Sequence, residues 1–263
     1  MRTLEEIEKD IEQLWAEDFT TDDEKLNDWR VRYDKLTAER EEVRKQKAQE
    51  ERNKPEAVEE RKRKWEAQQI KNLTESGIGQ RYLNADIHSF ITETEEQKIG
   101  LETVKQFITN PYGKNLWLVG VAGTGKTLLG AIICRYLGAK YTKSYQLKDE
   151  LDYARSFNAK KNPTEVIKEY AEISVLVVDE VGRYKSPQEQ EYIFRLLNER
   201  YEMKKPTVLI SNMTVKEFGE YLGNPLVDRF REGCKSLEFK GDSFRAKERT
   251  EWDGKINNEL FGC

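Results

Sequence analysis

GVAGTGKT, Gly120–Thr127, lies between two apolar runs, NLWLVG (115–120) and TLLGAIICRYL (127–137). The eight residues match GxxxxGK[ST], and the flanking runs read as a buried strand entering the loop and a helix leaving it. Gly120, Val121, Ala122, Gly123, Thr124, Gly125 and Leu128 therefore bound a candidate phosphate-binding loop. Its glycines let backbone amides approach phosphate oxygens, and the helix start adds aligned donors. Lys126 is expected to reach the β- and γ-phosphates, and Thr127 to offer its hydroxyl to Mg²⁺. ATP and Mg²⁺ are the cofactors this stretch calls for.

Working outward, ISVLVVDE (173–180) ends in Asp179 and Glu180, at the carboxyl end of a buried strand where ligands of open parallel sheets gather. Asp179 is expected in the Mg²⁺ shell and Glu180 as the base that polarises the attacking water. PTVLIS (206–211) leads to Asn212, a neutral donor placed to sense a γ-phosphate or the water beside it. AKYTKS (139–144) and SLEFK (236–240) complete the short apolar strands, which alternate with helical stretches following Lys126 and around 187–203. That alternation predicts an α/β fold with a central parallel sheet flanked by helices. No segment supplies the acceptor pocket and lid of a small-molecule kinase, so hydrolysis coupled to motion is the expected chemistry. His88, the only histidine, follows a strand-like NADI and reads as structural.

Residues 1–75 are helical by pattern. Thr3-Leu4-Glu5-Glu6 and Thr21-Asp22-Asp23-Glu24 both fit a capping box, so two helices are expected to start there. The first carries Leu4, Ile7, Ile11, Leu14 and Trp15 at helical spacing, the second Leu26, Trp29, Tyr33 and Leu36. These stripes suit packing against each other, and two short helices leave apolar surface for an outside partner. From Glu41 to Lys71 the chain is mostly charge, with Glu59–Arg63 and Glu60–Lys64 at i,i+4 spacing, which describes a solvated helical strut interrupted only by Pro55. The glycines of TESGIGQ (74–80) break the helix, so the expected division is a helical region, 1–75, and a nucleotide-binding domain, 76–263.

The chain has 263 residues, of which 36% are charged, against about 25% in ordinary domains. Net charge is only −4, so nucleic-acid contact has to come from a local basic strip and strong non-specific duplex binding is disfavoured. The cysteines, Cys134, Cys234 and Cys263, are too dispersed for a disulfide framework or zinc site. With no apolar signal core and no membrane-length run, a soluble cytoplasmic protein without membrane contact is expected.

SGIGQRYLNADIHSF, GTGKTLL, VVDEVG, NERY, LISN, NPLVDRF and GDSFR follow one another between Ser76 and Arg245. In this order and spacing the chain resembles the DnaC-type replicative helicase loaders and the related IstB-type transposition helpers, AAA+ ATPases of the clade that includes the initiator DnaA. Leu128 stands where these families often have histidine, and residues 1–75 match no family segment. The resemblance implies that Arg229, in Asp228-Arg229, acts in trans on ATP bound by a neighbouring subunit, with Arg231 as the competing choice. It also implies that Arg245 is a second sensor arginine in cis, and that the chain forms a homo-oligomeric ring or spiral. The long connection SYQLKDELDYARSFNAKKNPTEVIKEY (144–170) corresponds to the clade's extra helical insert, facing the oligomer axis. There Tyr153, Arg155, Phe157, Lys160 and Lys161 mix rings with positive charge, as single-strand binders do, and Arg183, Tyr184 and Lys185 repeat the mixture. Tyr153 and Phe157, at i,i+4, also read as a buried stripe of that insert.

The function these features imply is an ATPase that binds a hexameric replicative DNA helicase through its N-terminal helices and delivers it onto single-stranded DNA. Two rivals stand beside it. One is an IstB-like helper of DNA transposition, expected to carry a basic N-terminal domain; the other is an ATP-gated scaffold, which requires a dead site.

Overall fold

The computed structural model describes residues 2–16, 23–230 and 233–243. It forms two compact units, Met1–Glu66 and Ala67–Cys263. No helix among the described residues is long and apolar enough to cross a membrane.

The first unit is built on α1 (Leu4–Trp15) and α2 (Asp23–Asn53). Thr3 starts α1 as the sequence predicts: its hydroxyl accepts from the Glu6 amide at 3.2 Å, and the Glu6 carboxylate accepts from the Thr3 amide at 2.7 Å. The second predicted capping box, at Thr21, lies outside the described residues. The two apolar stripes face each other in an antiparallel hairpin, with Ile7, Ile11 and Val43 buried and Leu4, Tyr33 and Leu36 packed on them. Val43 extends the seam beyond Leu36, where the predicted stripe stops. Where α1 ends and α2 begins, Trp15, Trp29 and Tyr33 cluster with ring centroids 4.9–5.6 Å apart, and the Trp29 indole donates to the Leu14 carbonyl at 2.9 Å. Ion pairs Arg2–Glu39 and Arg44–Glu8, each 3.1 Å, flank the seam. The charged strut is two helices and not one: α2 ends at Asn53 and α3 (Pro55–Glu75) begins at Pro55. Proline has no amide to donate and its ring crowds the preceding turn, whereas the first position of a helix tolerates both defects.

In the second unit the last turns of α3 contribute Gln69, Asn72 and Leu73. Leu73 is buried, Asn72 donates to the Arg135 carbonyl at 3.1 Å, and Gln69 accepts from the Arg135 guanidinium at 3.2 Å. Glu75 closes the helix ahead of Gly77, as the glycines predict. The expected strand-like NADI is instead a turn: Asp86 caps a short 3-10 helix, Ile87–Ser89, by accepting from the exposed His88 amide at 2.9 Å. The core then runs α4 (Glu95–Thr109), β1 (Asn115–Gly120), α5 (Lys126–Leu137), β2 (Lys140–Lys143), α6 (Ser144–Tyr153), α7 (Pro163–Glu172), β3 (Leu176–Asp179), α8 (Pro187–Glu202), β4 (Thr207–Ile210), α9 (Val215–Leu222), α10 (Asn224–Phe230) and β5 (Cys234–Phe239).

All five strands are parallel, in the order β2-β3-β4-β1-β5. Alternate residues enter two separate cores, as the two-residue period of a strand requires. Trp117, Val119, Val178 and Leu209 join α6 to α10 on one face; Leu116, Leu118, Val177, Val208 and Ile210 join α4 and α5 on the other. Burial of both faces explains why these strands read as continuous apolar runs. Burying each such aliphatic side chain contributes roughly 1.5–3 kcal/mol.

A guanidinium is embedded in this frame. Arg200 of α8 is 1% exposed, and its guanidinium donates to the carbonyls of Tyr170, Ala171 and Ile173, the carbonyl of Pro206 and the hydroxyl of Thr207, at 2.6–3.1 Å. Two of these acceptors lie in the last turn of α7, where carbonyls lack helical partners and a cation is favoured. Burial pushes its pKa down to about 10, so it stays charged at neutral pH while tying α7, α8 and β4 together.

Candidate nucleotide site

The strand order sets the site. The loop after β1, the acids ending β3 and the segment Ser211-Asn212 after β4 emerge at the same end of the sheet, with β4 between the other two strands. Asn212 therefore stands between the phosphate loop and the acidic pair, at the place where open parallel sheets bind ligands.

The loop geometry follows from glycine. Gly125 is the residue before α5, has φ +98°, and offers no side chain to cap the helix. A Cβ there would meet the Phe90 ring at 2.8 Å, so both conformation and close approach demand glycine. The first amides of α5 are left for a ligand, with the helix dipole favouring an anion. Lys126 is buried, its ammonium donating to the Gly120 carbonyl at 2.8 Å and the Val121 carbonyl at 2.5 Å.

Thr127 donates to Asp179 Oδ2 at 2.8 Å, which brings the two expected Mg²⁺ residues together. The same oxygen accepts the Tyr141 hydroxyl at 2.8 Å, and Asp179 Oδ1 accepts the Glu180 amide at 2.6 Å. Glu180 is in the left-handed region, φ +57°, a conformation that costs a non-glycine residue free energy and clusters at functional sites. The turn carries its carboxylate to Lys143 at 3.0 Å and to Arg183, while its carbonyl accepts the Ser144 hydroxyl at 2.8 Å. Burial pushes the Glu180 carboxyl up, but the hydrogen bonds from Arg183 and Lys143 outweigh it and hold the group below its ordinary value. Lys143 is raised in return, chiefly by its bond to Glu180. Burial and then the Asp179 charge raise the Tyr141 phenol, which stays protonated and a donor.

A cavity of about 530 Å³ opens on these groups. Ala122, Gly123, Thr124, Gly125, Lys126, Thr127 and Leu128 line it together with Asp179, Glu180 and Asn212; Gly120 and Val121 lie behind, holding Lys126. The wall also includes Arg81, Tyr82, Ser89, Phe90 and Ile91, of which Tyr82, Phe90 and Ile91 offer aromatic and apolar surface suited to a base. An uncapped helix start, a buried ammonium and a hydroxyl–carboxylate pair of hard oxygens fit a nucleoside triphosphate with Mg²⁺. This part of the wall, Tyr141 and Lys143 escaped the sequence reading. The segment SGIGQRYLNADIHSF carried the only signal for the wall, and nothing local distinguishes Tyr141 or Lys143 from other strand residues.

Arg229 does not line this cavity. It is exposed on α10, bonded to the Asn198 side chain and lying 5.9 Å from the Tyr201 ring centroid. Arg231 and Arg245 lie outside the described residues, as does the tail that follows.

The candidate single-strand set divides. Arg183 lines the nucleotide cavity and pairs with Glu180, and its guanidinium also lies 5.5 Å from the centroid of the Tyr184 ring. Tyr153, at 62%, and Phe157, fully exposed, do not form the buried stripe that their spacing allowed. The reason is that α6 ends at Tyr153, so Phe157 stands in the turn beyond it and helical spacing no longer applies. Lys160 is exposed in the same connection, Lys161 pairs with Glu169 at 2.7 Å, and Arg155 lies 5.1 Å over the Tyr192 ring. Tyr184 and Lys185 are exposed after the acidic pair, Lys185 with φ +47°.

A profile of the IstB-like ATP binding proteins matches residues 56–252. The chain is 29% identical over 185 residues to the replicative helicase loader DnaC of Buchnera aphidicola subsp. Baizongia pistaciae (strain Bp), a match spanning 66% of this chain and 75% of that protein. The crystal structure of the DnaC helicase loader aligns with a TM-score of 0.53 at 23% identity, covering 62% of this chain and 100% of the solved chain. The replication initiator DnaA bound to AMPPCP and single-stranded DNA aligns with a TM-score of 0.52 at 22% identity, covering 70% and 58%. Both likenesses show the fold of the nucleotide-binding core, a central parallel sheet flanked by helices. From its phosphate loop, its acidic pair and a match that spans most of its length, the chain belongs to the family of IstB-like ATP binding proteins.

Proposed function

We propose that this chain is an ATP-hydrolysing loader. It grips a hexameric replicative DNA helicase through its N-terminal helices and passes it to single-stranded DNA at replication initiation, working as a homo-oligomeric ring or spiral. The observation that carries this reading is the likeness to a replicative helicase loader over 185 residues, in a chain whose cavity gathers Lys126, Thr127, Asp179, Glu180 and Asn212.

Lys126 and the first amides of α5 bind the triphosphate, while Thr127 and Asp179 hold Mg²⁺. When bound, the cation would offset phosphate charge. Glu180 takes the proton of the attacking water, for which it must release Lys143 or Arg183, since both now occupy its carboxylate. Asn212 donates from the floor between loop and acids. Arg229 serves the neighbouring subunit's site, in keeping with its exposure and its absence from the lining of its own chain's cavity. On the hairpin, the exposed Trp15, Leu26 and Val31 supply apolar contact for the helicase.

The test mixes the full-length protein and a purified hexameric replicative helicase with ATP on a size-exclusion column. Co-elution is expected, and Trp15→Asp with Val31→Asp is expected to abolish it. A second reading, a helper of DNA transposition, draws on the family's own description as IstB-like. If the protein passes the helicase without binding yet co-elutes with a transposase, the loader reading falls and the transposition reading takes its place.

A further inference from the structure

Strand β2 enters the site without any motif to announce it. In its register with β3, Tyr141 pairs with Val177 and Lys143 with Asp179, so Tyr141, Lys143 and Asp179 share one face of the sheet. Tyr141 is 5% exposed, its ring packed in the core beside α5 and its hydroxyl 2.8 Å from Asp179 Oδ2. The Thr127 hydroxyl reaches that same oxygen at 2.8 Å, and the Glu180 amide takes the other oxygen at 2.6 Å. Once Thr127 is given over to a cation, Tyr141 and the Glu180 amide remain of these three donors to fix the carboxylate. The Glu180 amide belongs to a residue in a left-handed turn, next to the carboxylate it holds. Of the two, only Tyr141 restrains Asp179 from a different strand.

We infer that Tyr141 is a positioning residue for the cation site: its hydroxyl sets the orientation of Asp179 and so determines how much Mg²⁺ adds to nucleotide affinity. The inference rests on the reading of this cavity as an Mg²⁺–nucleotide site and goes further, by assigning part of the metal affinity to a residue that touches neither metal nor nucleotide. Groups that orient ligands in this way are typically worth about 10–100-fold in metal affinity.

The experiment measures the dissociation constant of a fluorescent, non-hydrolysable ATP analogue with the full chain, once in EDTA and once in excess Mg²⁺. The ratio of the two constants is the gain due to the metal. Tyr141→Phe keeps the ring and removes the hydroxyl, so affinity in EDTA should be unchanged while the metal gain falls about tenfold or more. Tyr141→Leu, which removes the ring as well, should lose the same gain, and thermal unfolding reports whether either variant is folded. If Tyr141→Phe keeps the wild-type gain, the inference is overturned. Equal weakening in EDTA and in Mg²⁺ overturns it too, because that is the mark of a packing role. If the wild-type protein binds the analogue with no gain from Mg²⁺, the underlying reading of the site has failed, an outcome distinct from the other two.

Discussion

Glu180 shows how much of the site is settled by single side chains. Its backbone is left-handed, and its two carboxylate oxygens rest on Lys143 and Arg183. Burial alone would raise its pKa, yet the two cations hold it below the ordinary value of 4.5. The sign has two consequences. The ionised form contributes stability above pH 4.5 that is lost as pH falls through the lowered folded value. On the proposed reading, the base for hydrolysis also stays ionised throughout the neutral range. Arg183→Ala removes one cation and leaves burial less opposed, so the acid limb of kcat/KM should move to higher pH than in the wild type, toward or above the ordinary carboxylate range. Profiles of the two proteins across the mildly acidic range test this, and an unmoved or lowered limb would separate Arg183 from the base. The acid itself was legible in the sequence because four apolar residues lead directly into Asp179-Glu180. Its partners were not: Lys143 stands 37 positions away, joined only through strand pairing, and Arg183 looks like any basic residue next to a tyrosine.

Elements were legible where a local rule governs them. The inner strands β1, β3 and β4 appeared as apolar runs because both sheet faces are buried there, and α1 announced itself through Thr3 and Glu6. Periodicity misled where an element ended without a strong breaker. The stretch after Tyr153 has neither proline nor glycine until Pro163, so nothing signalled that α6 stops and that Phe157 would stand in solvent. That turn is the feature of the insert most suited to a single strand. A fully exposed ring offers a stacking face, Lys160 stands nearby, and Lys161 is held only by a surface pair to Glu169, worth at most about 1 kcal/mol. Phe157→Ala should therefore weaken single-strand binding by about 1–3 kcal/mol at any salt concentration. Lys160→Glu with Lys161→Glu should instead flatten the dependence of log affinity on log salt, by about 0.7 for each phosphate that is no longer neutralised. Titrations of a labelled oligonucleotide at several salt concentrations separate the two effects, and unchanged affinity in both variants would remove the insert from the strand-binding account.

For the whole molecule the question is whether one chain completes its own site. Lys126, Thr127, Asp179, Glu180 and Asn212 converge on the cavity, but no arginine of α10 reaches it: Arg229 faces Asn198 and Tyr201 on an exposed surface. The cavity's own arginines are Arg81 and Arg183, the latter paired with Glu180, and a further guanidinium beside the γ-phosphate would spread developing charge, an effect worth about 10³–10⁵ in rate. If a neighbour supplies it, the contact is head-to-tail, with the cavity of one subunit against α10 of the next. Lys126→Ala and Arg229→Ala chains should each be nearly inactive alone, the first for want of phosphate binding and the second for want of a donated charge. In an equimolar random mixture roughly a quarter of the interfaces would join an intact cavity to an intact Arg229, so activity should return to about that fraction of the wild type. Hydrolysis measured across mixing ratios should pass through a maximum near equal amounts. A flat line at the level of the separate variants would mean that Arg229 serves no neighbouring site, and wild-type turnover per chain that persists on dilution below any self-association would show that one subunit suffices.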